Sequence, residues 1–364
     1  MTFEYATGLD VGARKREEGR INEDSVAVNV LEDGHLDTER NAAVLVLADG
    51  AGGEEAGEIA SYIATVEVAR RLAELLWDSR RLDALVDGAS EAEKPVIDGE
   101  RVSPPLADRE PAWVANRIET AIRSTHTRIL QRIEDLGLGS AYTTIVVGVK
   151  IGDRLHYGWV GDSRAYVVNR HPERAAGRRL SLLTRDHSVV ERLRERGEID
   201  DVEAHVHRQG NQITRALGGT AGDDPAGSTV QIETGRVRLF CDDVVLFTSD
   251  GLIDAYADTP TLHKRYTQAD DTAAIEAEII EKSVTDNEIR DVIRDTESLP
   301  AAVDRFLALA NSRGGKDNLS LVLARDAGLD RSPANGFPDR SYDGDVESLD
   351  SRDTVIRDSE GEDE

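Results

Sequence analysis

The chain has 364 residues, enough for one large domain with insertions or for two small ones. Asp and Glu number 71 against 44 Lys and Arg, a net charge of −27 that argues against a general electrostatic grip on nucleic acid or on anionic membranes. No apolar run approaches the ~20 residues of a membrane span, and the single cysteine, Cys241, excludes an intrachain disulfide and a thiolate metal cluster.

Residues 1–10 lack the basic and apolar regions of a secretory signal, so a reducing cytoplasm is the expected compartment. Only 6 of the cations are lysines. Acid excess with scarce lysine is similar to the composition of halophile proteins, where concentrated salt screens self-repulsion.

Residues 3–30 read as two strands joined by a polar, charged turn. A short apolar run over 41–47, bounded by Asp49 and Gly50, predicts a buried strand ending in a turn. From Glu54 the period changes. Ile59, Ile63, Val66, Ala69, Ala73 and Leu76 recur at helical spacing. Residues 88–111 hold four of the ten prolines and predict an exposed insertion. A second long helix shows Val114, Ile118, Ile122, Ile129 and Ile133 on one face.

Strand signals follow at 143–151, 154–161 and 164–168, with Gly152-Asp153 as a hairpin signal. A basic segment, 169–179, interrupts them. Residues 188–197 read as a helix, and 229–232, 237–240 and 244–247 as strands. Residues 256–312 are mostly helical by pattern, and 319–323 form a last strand. Residues 326–364 carry 13 acidic and 4 basic side chains and few apolar ones, which predicts a disordered acidic tail behind a domain spanning 1–325. Without regular βαβ alternation, the order of elements predicts α+β with a mainly antiparallel sheet.

Five segments place an aspartate, or a Glu-Asp pair, at a strand end: Glu23-Asp24, Asp49-Gly50, Asp162-Ser163, Asp250-Gly251 and Asp317-Asn318. One Asp-Gly alone reads as a turn. Five that converge on one rim would raise each other's pKa and need counter-charge. An all-oxygen donor set suits Mg²⁺ or Mn²⁺ better than zinc. Gly50, Gly52 and Gly53 around Asp49 let the backbone approach an ion, and the Gly50 carbonyl is a candidate ligand.

The segments GRINEDS, VLVLADGAGGEEAGEIAS, TTIVVGVKIGDRLHYGWVGDSRAYVV, LTRDHS, ITRALG, VLFTSDGLID and GGKDNLSLVL occur in the order found in the metal-dependent type 2C Ser/Thr protein phosphatases. Over about residues 8–323 the chain resembles that family. The resemblance implies a central antiparallel β-sandwich flanked by helix pairs, with a two-metal site at one end. It implies that Asp49 bridges two ions, that the Gly50 carbonyl ligates one, and that Asp250 and Asp317 ligate the other. It places Glu23 in the first or water-mediated shell and Asp24 behind it. Asp162 matches a ligand of a third, weaker ion, while Asp254 reads as a helix-start carboxylate.

The sequence departs from the family at three points. The family's phosphate-gripping arginine falls at Gly19, so Arg20 is the assigned substitute, with Arg16 and Arg14 as the other candidates in a longer segment; a guanidinium pairs bidentately with phosphate. The His after Asp-Gly in some members is Ala51, and the family's Gly-Thr-Thr reads Tyr142-Thr143-Thr144. His187 matches a family position read as structural. His205 and His207 fall in the segment that matches the family's flap; two-residue spacing on a strand would point them the same way, and they read as solvated rather than as a metal pair.

The expected function is therefore hydrolysis of phosphoserine and phosphothreonine in a protein substrate by metal-activated water, in a cytoplasmic monomer with no nucleic-acid or membrane partner. A two-metal hydrolase of a small phosphate ester is the first rival. A non-catalytic signalling module of the same fold is the second, and the presence of Asp49, Asp250 and Asp317 weighs against it.

Overall fold

The computed structural model describes residues 2–31, 42–51, 56–88, 96–97, 100–101, 106–171, 179–256, 258–331, 340–341 and 356–357. The chain opens with β1 (Phe3–Asp10), α1 (Ala13–Glu17), β2 (Ser25–Leu31), β3 (Ala42–Ala48), β4 (Gly50–Ala51) and the long α2 (Gly57–Gly88). Two short strands, β5 (Val96–Ile97) and β6 (Glu100–Arg101), precede α3 (Leu106–Leu136). Then come β7 (Ser140–Thr143), β8 (Ile145–Ile151), β9 (Arg154–Val160), β10 (Arg164–Asn169) and β11 (Leu180–Leu182). The helices α4 (Val189–Glu195) and α5 (Asp201–Ala204) lead to β12 (Gln212–Ile213), β13 (Leu217–Thr220), β14 (Glu233–Arg238) and β15 (Asp243–Thr248). Last are α6 (Thr259–Gln268), α7 (Ala273–Lys282), α8 (Asp286–Asp295), α9 (Leu299–Arg313), β16 (Leu319–Asp326) and β17 (Ile356–Arg357).

Two five-stranded antiparallel sheets carry the fold, in the orders β1-β16-β15-β10-β11 and β14-β9-β8-β3-β2. Strand alternation assigns each residue to a layer. Ala43, Leu45 and Leu47 of β3 meet Val245, Phe247 and Val322 between the sheets. Val44 and Val46 of the same strand face outward, onto Ala60, Ala64 and Val68 of α2 and Ile118 and Ile122 of α3. On the opposite face, Tyr166, Leu246 and Leu321 pack against Ile289 and Val292 of α8 and Phe306 of α9. The result is the expected helix–sheet–sheet–helix sandwich. Because β3 is covered on both faces, it reads as an unbroken apolar run rather than an alternating one.

Three elements differ from the sequence expectation. The charged turn between β1 and β2 contains a helix, α1, which Gly12 at φ +83 lets the chain enter. No strand forms over the predicted 229–232; the strand here is β14, which overlaps the predicted 237–240 only at 237–238 and pairs along its length with β9. Residues 205 and 207 follow a helical turn, not a strand. The predicted insertion at 88–111 lies largely outside the described residues.

Of the segment beyond residue 325, expected to be a disordered tail, residues 326–331, 340–341 and 356–357 are described. Arg340 forks onto both oxygens of the buried Asp243, at 2.6 and 2.9 Å. Its amide donates to the Ser181 hydroxyl. Ile356 and Arg357 pair with Ile213 and Gln212. Among the described residues, no helix is long and apolar enough to cross a membrane.

Candidate metal centre

One end of the sandwich gathers strand ends and the loops that follow them. β2 begins just after Asp24, β3 ends just before Asp49, β9 just before Asp162, and β15 just before Asp250; β16 begins just after Asp317. The fold thus brings together the acidic residues that the sequence singled out. Burial and their mutual repulsion together raise their pKa values. Burial, then the charges of Asp24, Asp250, Asp317 and Asp162, holds the Asp49 carboxyl well above the usual carboxylate range. Burial and the charges of Asp162, Asp317 and Asp254 do the same to Asp250, with Lys316 opposing. Burial, with Asp317 adding, pushes Asp24 up to about 6. The Ser320 and Ser249 hydroxyls offset part of this, yet neither Asp24 oxygen has a partner in hydrogen-bonding geometry.

The backbone around these carboxylates is fixed. The Asp49 carbonyl accepts from the Thr143 hydroxyl and the Thr144 amide, each at 2.8 Å, and the Asp49 amide donates to the Thr144 hydroxyl at 3.1 Å. The Thr144 hydroxyl also meets Ser163 at 2.7 Å, which ties the Asp49 and Asp162 loops together. Asn318 accepts from the Glu23 amide at 3.0 Å and donates to the Val11 and Ile21 carbonyls. Gly50 is required by crowding. A Cβ there would lie 2.4 Å from the Gly57 carbonyl oxygen and 2.5 Å from that of Glu23. Residues 52–55 of the same loop are outside the described set.

His187 is buried, as its structural reading implied. Its Nδ1 accepts from the Gly161 amide at 3.1 Å, and its ring stacks on Trp159. The other nitrogen meets Glu233 and Arg215. It therefore positions the turn that carries Asp162. His205, not His207, faces the cleft beside the rim, a space of about 690 Å³ lined also by Asp162, Arg164, Asp250 and Asp254. Arg164 there is forked onto Asp186.

The cation that pairs with the rim is one the sequence reading did not select. Lys15 of α1 is buried, with Nζ 2.5 Å from Asp317 and 3.9 Å from Glu23. Arg16, expected at the substrate, is engaged by both Asp10 oxygens, and Arg14 by Glu18. Arg20 is exposed, and its amide caps the Lys15 carbonyl. Gly12 and Gly315, both at positive φ, press α1 onto the loop that carries Asp317, a contact between segments far apart in the chain.

The donor set fits hard divalent ions. It is all oxygen, it is charged, and it holds an unpartnered buried carboxylate.

The family model for protein phosphatase 2C matches residues 11–286. The chain is 26% identical over 312 residues to the serine/threonine phosphatase stp of Listeria welshimeri, covering 85% of this chain and 93% of that one. Its fold is similar to the Mycobacterium tuberculosis serine/threonine phosphatase PstP/Ppp, with TM-score 0.57 and 24% identity over 91% of this chain and 100% of that one. It is also similar to the catalytic domain of PstP in complex with two manganese ions, with TM-score 0.51 and 22% identity over 89% and 97%.

Proposed function

The chain belongs to the protein phosphatase 2C family, and we propose that it is a metal-dependent phosphatase hydrolysing phosphoserine and phosphothreonine in proteins. The observation that carries this reading is the convergence of Asp24, Asp49, Asp162, Asp250 and Asp317 on one rim, with Asp24 unpartnered. Asp49, the Gly50 carbonyl, Asp250 and Asp317 would hold two Mg²⁺ or Mn²⁺ ions, with Glu23 and Asp24 beside them and Asp162 toward a third. When bound, such ions supply Lewis acidity and activate water for in-line attack on phosphorus.

The chain's own residues set the geometry. Thr143, Thr144 and Asn318 fix the backbone of the ligand loops. The cleft beside the rim orients the peptide. Lys15, rather than an arginine, supplies the cation at the phosphate, as a point charge rather than a fork. Covalent catalysis has no place in this scheme. Cys241 lies just before β15, at the end of that strand away from Asp250, and burial raises its thiol pKa.

We assign catalysis to residues 1–325 of a cytoplasmic monomer. The test is phosphate release from phosphoserine and phosphothreonine peptides and from a small aryl phosphate. It is run after chelation and after restoring Mg²⁺ or Mn²⁺, in low and high salt. Metal-dependent release with preference for the peptides supports the reading. Preference for the small ester moves the assignment to the rival hydrolase, and no release with any ion moves it to a non-catalytic module.

A further inference from the structure

A second donor cluster lies away from the acid rim. Glu203, His207 and His263 each offer one ligand atom, and these atoms all lie within 4.8 Å of one another. It is the one such trio among the described residues. We propose that these three side chains form a binding site for a transition-metal dication of the Zn²⁺ class, distinct from the catalytic ions.

The chemistry of the donors separates the two sites. The rim is all oxygen. This cluster has two imidazoles and one carboxylate, a set that suits zinc, with water in the fourth position. Tetrahedral ligation at ~2.0–2.1 Å brings ligand atoms to ~3.3–3.5 Å from one another. His263 Nε2 and Glu203 Oε1 are already 3.2 Å apart. The His207 and His263 rings meet edge to face with centroids 4.9 Å apart. Side-chain adjustment alone closes the remaining gap.

The frame that holds the trio needs no metal to form. Asp200 caps α5 by accepting from the Val202 and Glu203 amides. Its other oxygen accepts from the Tyr266 hydroxyl of α6 at 2.6 Å. Val206, Leu262 and Ile279 pack as a small buried cluster beneath. Glu203 lies in α5 and His207 just beyond its C-terminal turn, and α6 brings His263 to both.

The protonation states also suit a ligand role. Burial and the neighbouring His263 lower the pKa of His207, which favours the neutral ring that a metal needs. Ligation through His263 Nε2 takes the neutral tautomer protonated at Nδ1, any proton on Nε2 passing to solvent. The long contact from the Gln209 amide to His207 Nδ1, 3.2 Å, is exchanged for a coordinate bond.

The placement gives the site a consequence. Ala204, His205 and Gly210, interleaved with the ligands, line the cleft beside Asp162 and Asp250. An ion here pins that wall to α6. It should raise the melting temperature and lower KM for a phosphopeptide, with little change in kcat.

The experiment uses the full chain carrying Asp49→Asn and Asp250→Asn, which weakens the rim. Calorimetric titration with Zn²⁺ and the visible spectrum with Co²⁺ are compared before and after adding His207→Ala or His263→Gln. One tight Zn²⁺ and a tetrahedral Co²⁺ spectrum are expected. Either histidine change should weaken binding by more than the ~10–100-fold typical of losing an outer partner. Circular dichroism of each variant checks that it folds, and if His207→Ala does not, His263→Gln decides. Unchanged stoichiometry and affinity in the folded histidine variants overturn the proposal. So does the absence of Zn²⁺ uptake by the double-Asn chain.

Discussion

The two ends of β15 make an instructive pair. At one end Asp243 is fully buried and fully partnered: Asn169 donates to it at 2.7 Å, and Arg340 grips both its oxygens. At the other end Asp250 joins four further aspartates whose charges raise its pKa or one another's. The residue type, the strand and the sheet are the same. The difference is the supply of positive charge. The fold neutralises the carboxylate that serves packing and leaves an excess of negative charge where a metal dication is to bind. A buried acid without its partner costs several kcal/mol, so the rim either holds protons, as its raised pKa values imply, or is filled by something cationic.

The largest expected effect breaks the rim end. Asp49→Asn keeps the shape but removes charge that holds a dication. It should cut kcat/KM by more than the ~10²–10³-fold that follows loss of one preorganised electrostatic partner. It should also raise the melting temperature of the chelated protein, because repulsion is relieved. Near-wild-type turnover at saturating Mn²⁺ would remove the bridging role assigned to Asp49. The next effect breaks the other end. Arg340→Ala strands Asp243 in the interior and should cost about 3–5 kcal/mol of stability, while phosphatase activity per folded molecule holds. Equilibrium urea unfolding measures the first and initial rates the second. An unchanged unfolding midpoint would show that Arg340 does not anchor the segment.

Much of this comparison was legible in the sequence, and the parts that were not share a cause. Alternation and period gave the layers at β3 and α3, which bury what their patterns say; α2 instead buries Ala60, Ala64, Val68 and Leu72 and leaves Val66 of the predicted stripe exposed. The rim aspartates were legible because each ends or precedes an apolar run. Lys15, Arg340 and the Glu203–His207–His263 trio were not. Each depends on a contact between segments far apart in the chain: α1 on the loop after α9, residue 340 on β15, and α5 on α6. Local pattern carries no information on such pairings. The histidines were also misread by period, because a strand was assumed where the chain makes a helical turn.

A smaller effect sharpens the contrast from the cation's side. Lys15→Ala removes the ammonium beside Asp317. With phosphopeptide it should raise KM and lower kcat/KM by ~10-fold, the loss of about one charge-assisted contact. Arg16→Ala, whose partner is Asp10, should leave kinetics unchanged. If Arg20→Ala shows the defect and Lys15→Ala does not, the phosphate contact returns to the exposed arginine.

The smallest effect tests whether the rim's repulsion is real in the absence of ions. In the folded protein Asp24 titrates at about 6, against an ordinary value of 3.8. A carboxyl whose folded pKa is raised contributes no penalty while it is protonated in both states, below pH 3.8. Between pH 3.8 and about 6 the unfolded chain has ionised while the folded one still holds the proton, so stability falls across that window and levels off above it. Other carboxylates of this acidic chain titrate too, some with lowered pKa values that act in the opposite sense, such as Asp200 and Asp291. The difference between Asp24→Asn and wild type cancels them. In chelator the variant should melt level with wild type below pH 3.8. It should melt above wild type beyond pH 6, by about 2–4 °C for each kcal/mol relieved. A gap that stays flat across this window would mean that Asp24 does not carry a buried charge, and that the rim is less crowded with negative charge than Asp243's end of the strand suggests by contrast.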